Sequence, residues 1–209
     1  MENNNPPNNL AHPLLRLLAF LIEILLAILF ILILIFGITN QFSVHGILNM
    51  FMFAAIYLLL LYPISYPFVQ SFFISRFGAD IGKLVVGLRI VNKEGKNISF
   101  WRGFFRNHIG YIISGLFFQL GFIWMLVDKS RQAWHDMLAG TFVVVKNKVG
   151  ALIGILIFLL LIAANTYLVM SITNNIQGNL NLYQEIYTDV VDYFKGFTSS
   201  IEKQENPQI

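Results

Sequence analysis

The chain has 209 residues, of which 56% are hydrophobic and only 12% charged, against roughly 45–50% and 25% in soluble domains. With a mean hydropathy of +0.67, this composition excludes a soluble globular fold. The net charge of +3 does not point to nucleic acid, because the Lys and Arg residues mostly flank apolar runs, where they set membrane topology. The absence of cysteine removes disulfides, thiolate metal sites and a cysteine nucleophile.

Residues 1–13, MENNNPPNNLAHP, form a polar low-complexity tail expected to be disordered. They do not read as a signal peptide. No basic segment leads, the apolar run that follows is too long, and no small-residue cleavage site closes it. The first helix is therefore expected to remain as an anchor.

A spanning helix needs about 20 apolar residues, and Leu14–Phe36 meets this. Near its middle sits Glu23, a residue that costs several kcal/mol to place in a bilayer and usually faces a polar cavity or a partner. Arg16 lies seven residues earlier, on nearly the same helix face about two turns away. This pair is the strongest functional clue within one segment.

Ile47–Ile74 is a second predicted span, long enough to tilt. Pro63 and Pro67 should kink it in its second half, near Tyr62, Ser65 and Tyr66. The kink either accommodates packing or turns freed carbonyls and hydroxyls towards a polar path.

Ser75 to Arg106 is basic, with Arg76, Lys83, Arg89, Lys93, Lys96, Arg102 and Arg106 against Asp80 and Glu94, and is expected to be cytoplasmic. Within it, Leu84–Val91 and Asn97–Phe100 flank Asn92-Lys93-Glu94-Gly95-Lys96 and read as a short hairpin with Gly95 in the turn. The stretch from Gly78 to Leu84 is not a phosphate loop, since it has three residues between its glycines and lacks the Ser or Thr after the lysine.

Ile109–Val127 is about long enough to span, yet positive charge flanks both ends. Gly110, Gly115 and Gly121 interrupt it, and Gln119 is polar near its centre. A re-entrant hairpin turning near Gly115–Gly121 keeps both flanks on one side and is the favoured expectation. A complete crossing is the alternative. Ala151–Ile172 is the last predicted span. In the tail, Tyr183, Tyr187, Val190, Phe194, Phe197 and Ile201 recur at helical spacing, which predicts an amphipathic helix that packs on a partner or at the membrane interface.

The most specific string is Arg131-Gln132-Ala133-Trp134-His135-Asp136-Met137-Leu138-Ala139-Gly140-Thr141, followed by Phe142-Val143-Val144-Val145. Together with Arg16 and the segment Gly82–Val91, it resembles the RDD family of membrane proteins, over about Leu14 to Val145. Arg16 corresponds to the family arginine at the start of the first helix, and Asp136 to the second aspartate. The first aspartate belongs within the first helix, where this chain has Glu23. The resemblance implies a bacterial inner membrane protein with a cytoplasmic N-terminus. It also implies transport of ions or small solutes, sodium–proton exchange having been proposed for some members.

These residues support two readings of the charged groups. In a transport site, Glu23 alternates between protonated and cation-bound states, Arg16 tunes that balance, and Asp136 forms a second acidic group at the cytoplasmic mouth. In the plainer reading, Arg16 pairs with Asp136 or Glu23 to make burial tolerable. His135 beside Asp136 could relay protons, although a lone interfacial histidine more often holds a structural hydrogen bond. His108 marks the membrane interface, and Trp101, Trp124 and Trp134 suit an aromatic belt.

No His-Glu-x-x-His pair, Gly-x-Ser-x-Gly elbow or Cys/His set is present, so an enzyme is not expected. No catalytic residue or cofactor is assigned, and the sequence names no metal. The expected fold is an all-α polytopic membrane protein with three transmembrane helices, one re-entrant or spanning segment and a short cytoplasmic β-hairpin. Its parts are the tail 1–13, an RDD-like membrane domain 14–145, an additional helix 146–173 and a polar tail 174–209. The expected function is transport of a cation, with or without proton coupling, or of a small solute, with Glu23, Asp136, Arg16 and His135 as candidate residues. A membrane scaffold or assembly factor is the alternative. A chain this small is expected to form a homo-oligomer or to join a membrane protein partner to enclose a path through the lipid bilayer.

Overall fold

The computed structural model describes residues 7, 9–41 and 44–205. Nine α-helices follow in chain order: α1 (Pro13–Thr39), α2 (Val44–Ile56), α3 (Tyr62–Phe77), α4 (Ile81–Val85), α5 (Phe100–Asn107), α6 (Ile109–Ile123), α7 (Trp134–Ala139), α8 (Gly150–Gly178) and α9 (Leu180–Glu205), all among the described residues. A π-helical turn, Tyr57–Leu61, joins α2 to α3, immediately before Pro63. The hydrogen-bond register thus changes next to the prolines where the kink is expected.

Three helical stretches among the described residues are long and apolar enough to cross a membrane: Pro13–Thr39, His45–Val85 and Gly150–Gly178. The chain is an integral membrane protein. Apolar side chains cover much of these helices outwardly, such as Phe20, Ile33, Phe53, Leu60 and Leu160, as a lipid environment requires.

A fourth apolar stretch bends by 102° between Phe100–Leu116 and Phe118–Leu126. Phe118 and Gln119 adopt left-handed backbone angles, φ 55° and 66°, a conformation costing non-glycine residues about 1–2 kcal/mol each. Gly121 makes the turn possible, since a Cβ there would lie 2.5 Å from the Ser114 Cα. The turn falls inside the Gly115–Gly121 stretch.

The described residues form two compact units. The first takes in the chain up to Ile28 and Leu58–Ala163. In it, α3 packs on α5, and α5 and α7 both pack on α6. Gly103 lets α5 approach α3, with the Phe68 ring tilted against Phe100 and Phe104 at centroid distances of 6.1 and 5.4 Å.

Strand β1 (Leu88–Val91) pairs antiparallel with β2 (Phe142–Val145), with Leu88 opposite Val145 and Val91 opposite Phe142. This corrects the expected local hairpin. The turn at 92–96 does form, closed by Asn92 N–H to the Lys96 carbonyl at 2.9 Å, but residues 97–99 are not a strand. Leu88, Ile90 and Val91 are buried, and they find a second apolar strand only in Phe142–Val145, beyond α5–α7. The polar tail expected over 1–13 is structured from Asn9: its carbonyl accepts from Val145 N–H at 2.9 Å, and Ala11 N–H donates to the Val143 carbonyl at 2.8 Å. Residues 1–6 and 8 of that tail lie outside the described residues.

The second unit takes in Leu29–Tyr57 and the described residues from Ala164. Asn175 at the end of α8 donates to Asn40 Oδ1 at 3.0 Å, and the Tyr183 hydroxyl of α9 donates to the Thr39 carbonyl at 2.5 Å. The expected tail helix is α9, with Tyr187, Tyr193 and Phe194 exposed along it. The side chains of Phe197 and Ile201 lie outside the described residues.

Candidate functional site

Helix α7 begins after Ala133, whose backbone N–H donates to Asp136 Oδ2 at 3.1 Å. An acidic residue at the third helical position commonly caps the first turn in this way. The cap places the Asp136 carboxylate inside the first unit, where no part of it is exposed.

Two arginines converge on it. Arg16 Nη2 donates to Oδ2 at 2.6 Å. Arg106 donates to Oδ1 from Nη2 at 2.5 Å and from Nε at 3.1 Å. Thr141 Oγ1 stands 3.5 Å from the same oxygen. A carboxylate offers about four lone-pair positions, so the Asp136 oxygens are fully engaged by protein. Burial alone would raise this carboxyl, but Arg16 and Arg106 hold it far below the usual carboxylate range.

The cluster continues as a directed chain. Arginine only donates, so Arg106 Nη1 fixes Asn107 with Oδ1 towards it at 2.7 Å. Asn107 Nδ2 then donates to Gln70 Oε1 at 2.9 Å, and Gln70 Nε2 donates to the Tyr66 hydroxyl at 2.5 Å. One buried arginine thereby sets the orientation of two amides on α5 and α3.

His135 is closed in from both sides. Its Nδ1 meets Ser114 Oγ at 3.1 Å and its Nε2 lies 3.5 Å from Arg16 Nη2. Tyr111 and Phe122 flank the ring at 4.5 and 5.1 Å. Nε2 also lies 3.5 Å from Asp136 Oδ1, so a donor and an acceptor stand equally close to it. Burial pushes this imidazole well below the ordinary histidine range. Asp136 opposes that shift, and Arg106, Arg16 and Lys83 add to it. The ring is neutral at physiological pH and has no open side.

Glu23 belongs to a different cluster. Its Oε1 accepts from the Gly82 backbone N–H at 3.2 Å, and Asp80 and Lys83 are its charged neighbours. The two elements meet closely: a Cβ on Gly82 would lie 2.2 Å from the Ala19 carbonyl oxygen and 2.8 Å from Glu23 Cγ. Only glycine permits that approach.

Asp80 caps α4, its Oδ1 accepting from Lys83 N at 3.1 Å, while its Oδ2 pairs with Lys83 Nζ. Asp80 and Lys83 are both buried, whereas Glu23 is half-buried. Arg16 and Glu23 share a helix face but form no ion pair among the described residues; Arg16 turns to Asp136 instead.

Three of the four sequence candidates, Arg16, His135 and Asp136, therefore sit in one cluster and Glu23 in another. Sequence reasoning missed Arg106, Asp80 and Lys83 as site residues. Lys83 and Arg106 were counted among the topology-setting charges of a polar loop, yet they are only 6% and 0% exposed. The Asp80-Ile81-Gly82-Lys83 spacing carried a usable signal, since an aspartate three residues before a backbone donor is a helix cap. Among the described residues, no group of three or more His, Asp or Glu side chains is placed to hold a metal ion.

The RDD family model matches residues 10–140, a span holding every residue of both clusters except Thr141. Two Bacillus subtilis (strain 168) proteins, both described as uncharacterized, share short regions with this chain. YxaI is 36% identical over 72 residues, 34% of this chain and 46% of its own length. YckC is 36% identical over 70 residues, 32% of this chain and 46% of its own length. The matched region thus spans about half of each of these relatives. No solved structure matches. With more than half its length matched by the family model, the chain belongs to the RDD family.

Proposed function

We propose that this protein moves a cation across a bacterial inner (cytoplasmic) membrane in exchange for a proton, with Glu23 as the exchanging carboxylate. One observation carries the reading. Among the described residues, Glu23 is a half-buried acid of a long apolar helix with no ion pair to a basic side chain: it accepts one backbone N–H and has a second carboxylate, Asp80, as a charged neighbour. Two carboxylates so placed share a proton or a cation between them.

In this reading Arg16, Arg106 and Asp136 hold the α1, α5 and α7 segments in register and do not bind solute, because no oxygen of Asp136 is left to receive one. The α6 bend serves as a re-entrant turn that keeps the basic residues before and after it on the cytoplasmic side. A second copy of the chain or a membrane protein partner completes the enclosure of the path.

The test is ion and proton flux in proteoliposomes, with wild type and Glu23→Gln compared at equal incorporation. Glutamine can still accept the Gly82 N–H, so the variant is expected to fold and to lose flux. Equal flux in both would overturn the assignment of Glu23.

The exposed aromatic residues of α9 favour a second reading, a membrane scaffold that engages partners through its tail. It predicts no wild-type flux under sodium, potassium or proton gradients, and partner loss on replacing Tyr187, Tyr193 and Phe194 with alanine.

A further inference from the structure

We propose that the corner where α3 ends and α5 begins is a binding surface for anionic phospholipid, with Trp101 against the acyl region and Arg76, Arg89 and Arg102 against the phosphate head group. This goes beyond the exchange reading and does not depend on it.

The apolar part of the surface starts on α3. Phe68 and Phe72 are exposed on the later part of the long apolar stretch that runs through this helix. Packing of α5 on α3 extends it sideways: Phe68 lies 5.4 Å from Phe104, and Trp101 meets Phe104 edge-on at 5.9 Å. Trp101 is 68% exposed, while Gly103, Arg106 and Asn107 make up the buried face of α5. A short helix with an open aromatic face beside the end of a span has the form of an interfacial helix, and tryptophan is favoured at that level of a bilayer.

The polar edge is made of arginines. Arg76 is exposed in the last turn of α3. Arg89, on β1, packs on Gly78, the residue that closes α3: a Cβ there would lie 2.6 Å from Arg89 Nε. Arg102 directly follows Trp101. Two of the three are oriented by the protein, each through Nε: Arg89 donates to Asn97 Oδ1 at 2.7 Å and Arg102 to the Ala139 carbonyl at 2.6 Å. Among the described residues none of the three forms an ion pair with an acid. Glu94, an exposed acid of the turn that follows β1, is paired with Lys96.

Charge complementarity names the occupant. A guanidinium held by Nε presents its Nη donors in the fork that matches phosphate oxygens, and little freedom is left to lose on binding. An acidic peptide would satisfy the arginines and leave the aromatic face bare. A phospholipid carries phosphate and acyl chains in one molecule. A zwitterionic head group brings its own cation beside the phosphate, so lipid of net negative charge is preferred, by about fivefold for each arginine near the surface.

The test places the full chain in phosphatidylcholine nanodiscs containing a minor share of brominated lipid, with either a phosphatidylglycerol or a phosphatidylcholine head group. Bromine quenches nearby tryptophan, and the difference between wild type and Trp101→Phe isolates Trp101 from Trp124 and Trp134. Brominated phosphatidylglycerol is expected to be enriched at Trp101 about tenfold or more over brominated phosphatidylcholine. Combining Arg76→Gln, Arg89→Gln and Arg102→Gln should bring the two lipids level and leave quenching by phosphatidylcholine unchanged.

Should the triple variant fail to fold, Arg76→Gln decides, because it alters one exposed side chain. The enrichment should then drop by about fivefold. Equal quenching by both lipids in wild type, a preference that survives loss of the arginines, or a Trp101 that neither lipid quenches would overturn the proposal. None of these outcomes bears on flux, so the exchange reading stands or falls separately.

Discussion

The two charged clusters of the first unit both set carboxylates against basic side chains and come to opposite ends. Around Asp136, two arginines, a backbone N–H and a threonine hydroxyl occupy the carboxylate completely. Around Glu23, the Gly82 backbone N–H donates to one oxygen, and the charged neighbours are another carboxylate, Asp80, and the lysine paired with it. Saturation makes a buried charge structural, because every way of changing it leaves a partner unpaired. A buried acid short of donors can exchange what it holds. The difference lies in the count of donors and in burial, Asp136 being fully enclosed and Glu23 half-buried.

The largest test of this comparison is to break the saturated side. Asp136→Ala leaves Arg16 and Arg106 buried without a counter-charge, a situation that typically costs about 3–5 kcal/mol. The expected outcome is loss of the folded, monodisperse protein in detergent, read by size exclusion and thermal unfolding. Glu23→Gln should change stability by less than about 1 kcal/mol, within the worth of one ordinary hydrogen bond. Comparable loss in the two variants would erase the distinction.

A smaller effect is expected where α4 meets α1. Gly82→Ala forces a methyl group to within 2.2 Å of the Ala19 carbonyl, and overpacking of this kind costs about 1–3 kcal/mol. The same displacement moves the N–H that Glu23 accepts. Flux should therefore fall by more than stability alone explains, and unchanged flux at reduced stability would separate the donor from the exchange.

The smallest effect concerns acid. The folded protein keeps His135 neutral, with its proton affinity well below the ordinary value of 6.5. Below that pH the unfolded chain binds a proton that the folded chain refuses, so stability falls as pH drops through 6.5. A single group can contribute at most about 1.4 kcal/mol per pH unit.

Asp136, held far below its ordinary 3.8, keeps its contribution above that value and loses it only in stronger acid. Between pH 6.5 and 5 the difference in unfolding temperature between wild type and His135→Gln isolates the ring. A difference that does not vary with pH would show that His135 titrates normally in the folded protein.

The sequence alone made several of these features legible. Glu23 stood out because an acid in an apolar run is conspicuous locally. Arg16 and Asp136 stood out through the family resemblance, but their 2.6 Å contact spans 120 positions and no periodicity in either segment reports it. Arg106 was hidden because in a sequence it looks like any basic residue near a membrane span. Its burial depends on Asp136, Thr141 and Asn107 arriving from other elements. The β1 strand was recognised as a strand but given a local partner, because turn chemistry at 92–96 is visible and the second strand, some fifty positions on, is not.

By itself, the sequence determined the class of protein, its three long apolar spans and its family, since each rests on lengths, composition and motifs that are sums along the chain. Only the tertiary structure decided which charges meet. Coulomb and hydrogen-bond energies depend on atomic separations of a few ångströms, and those separations are set by how α1, α4, α5 and α7 pack within the first unit.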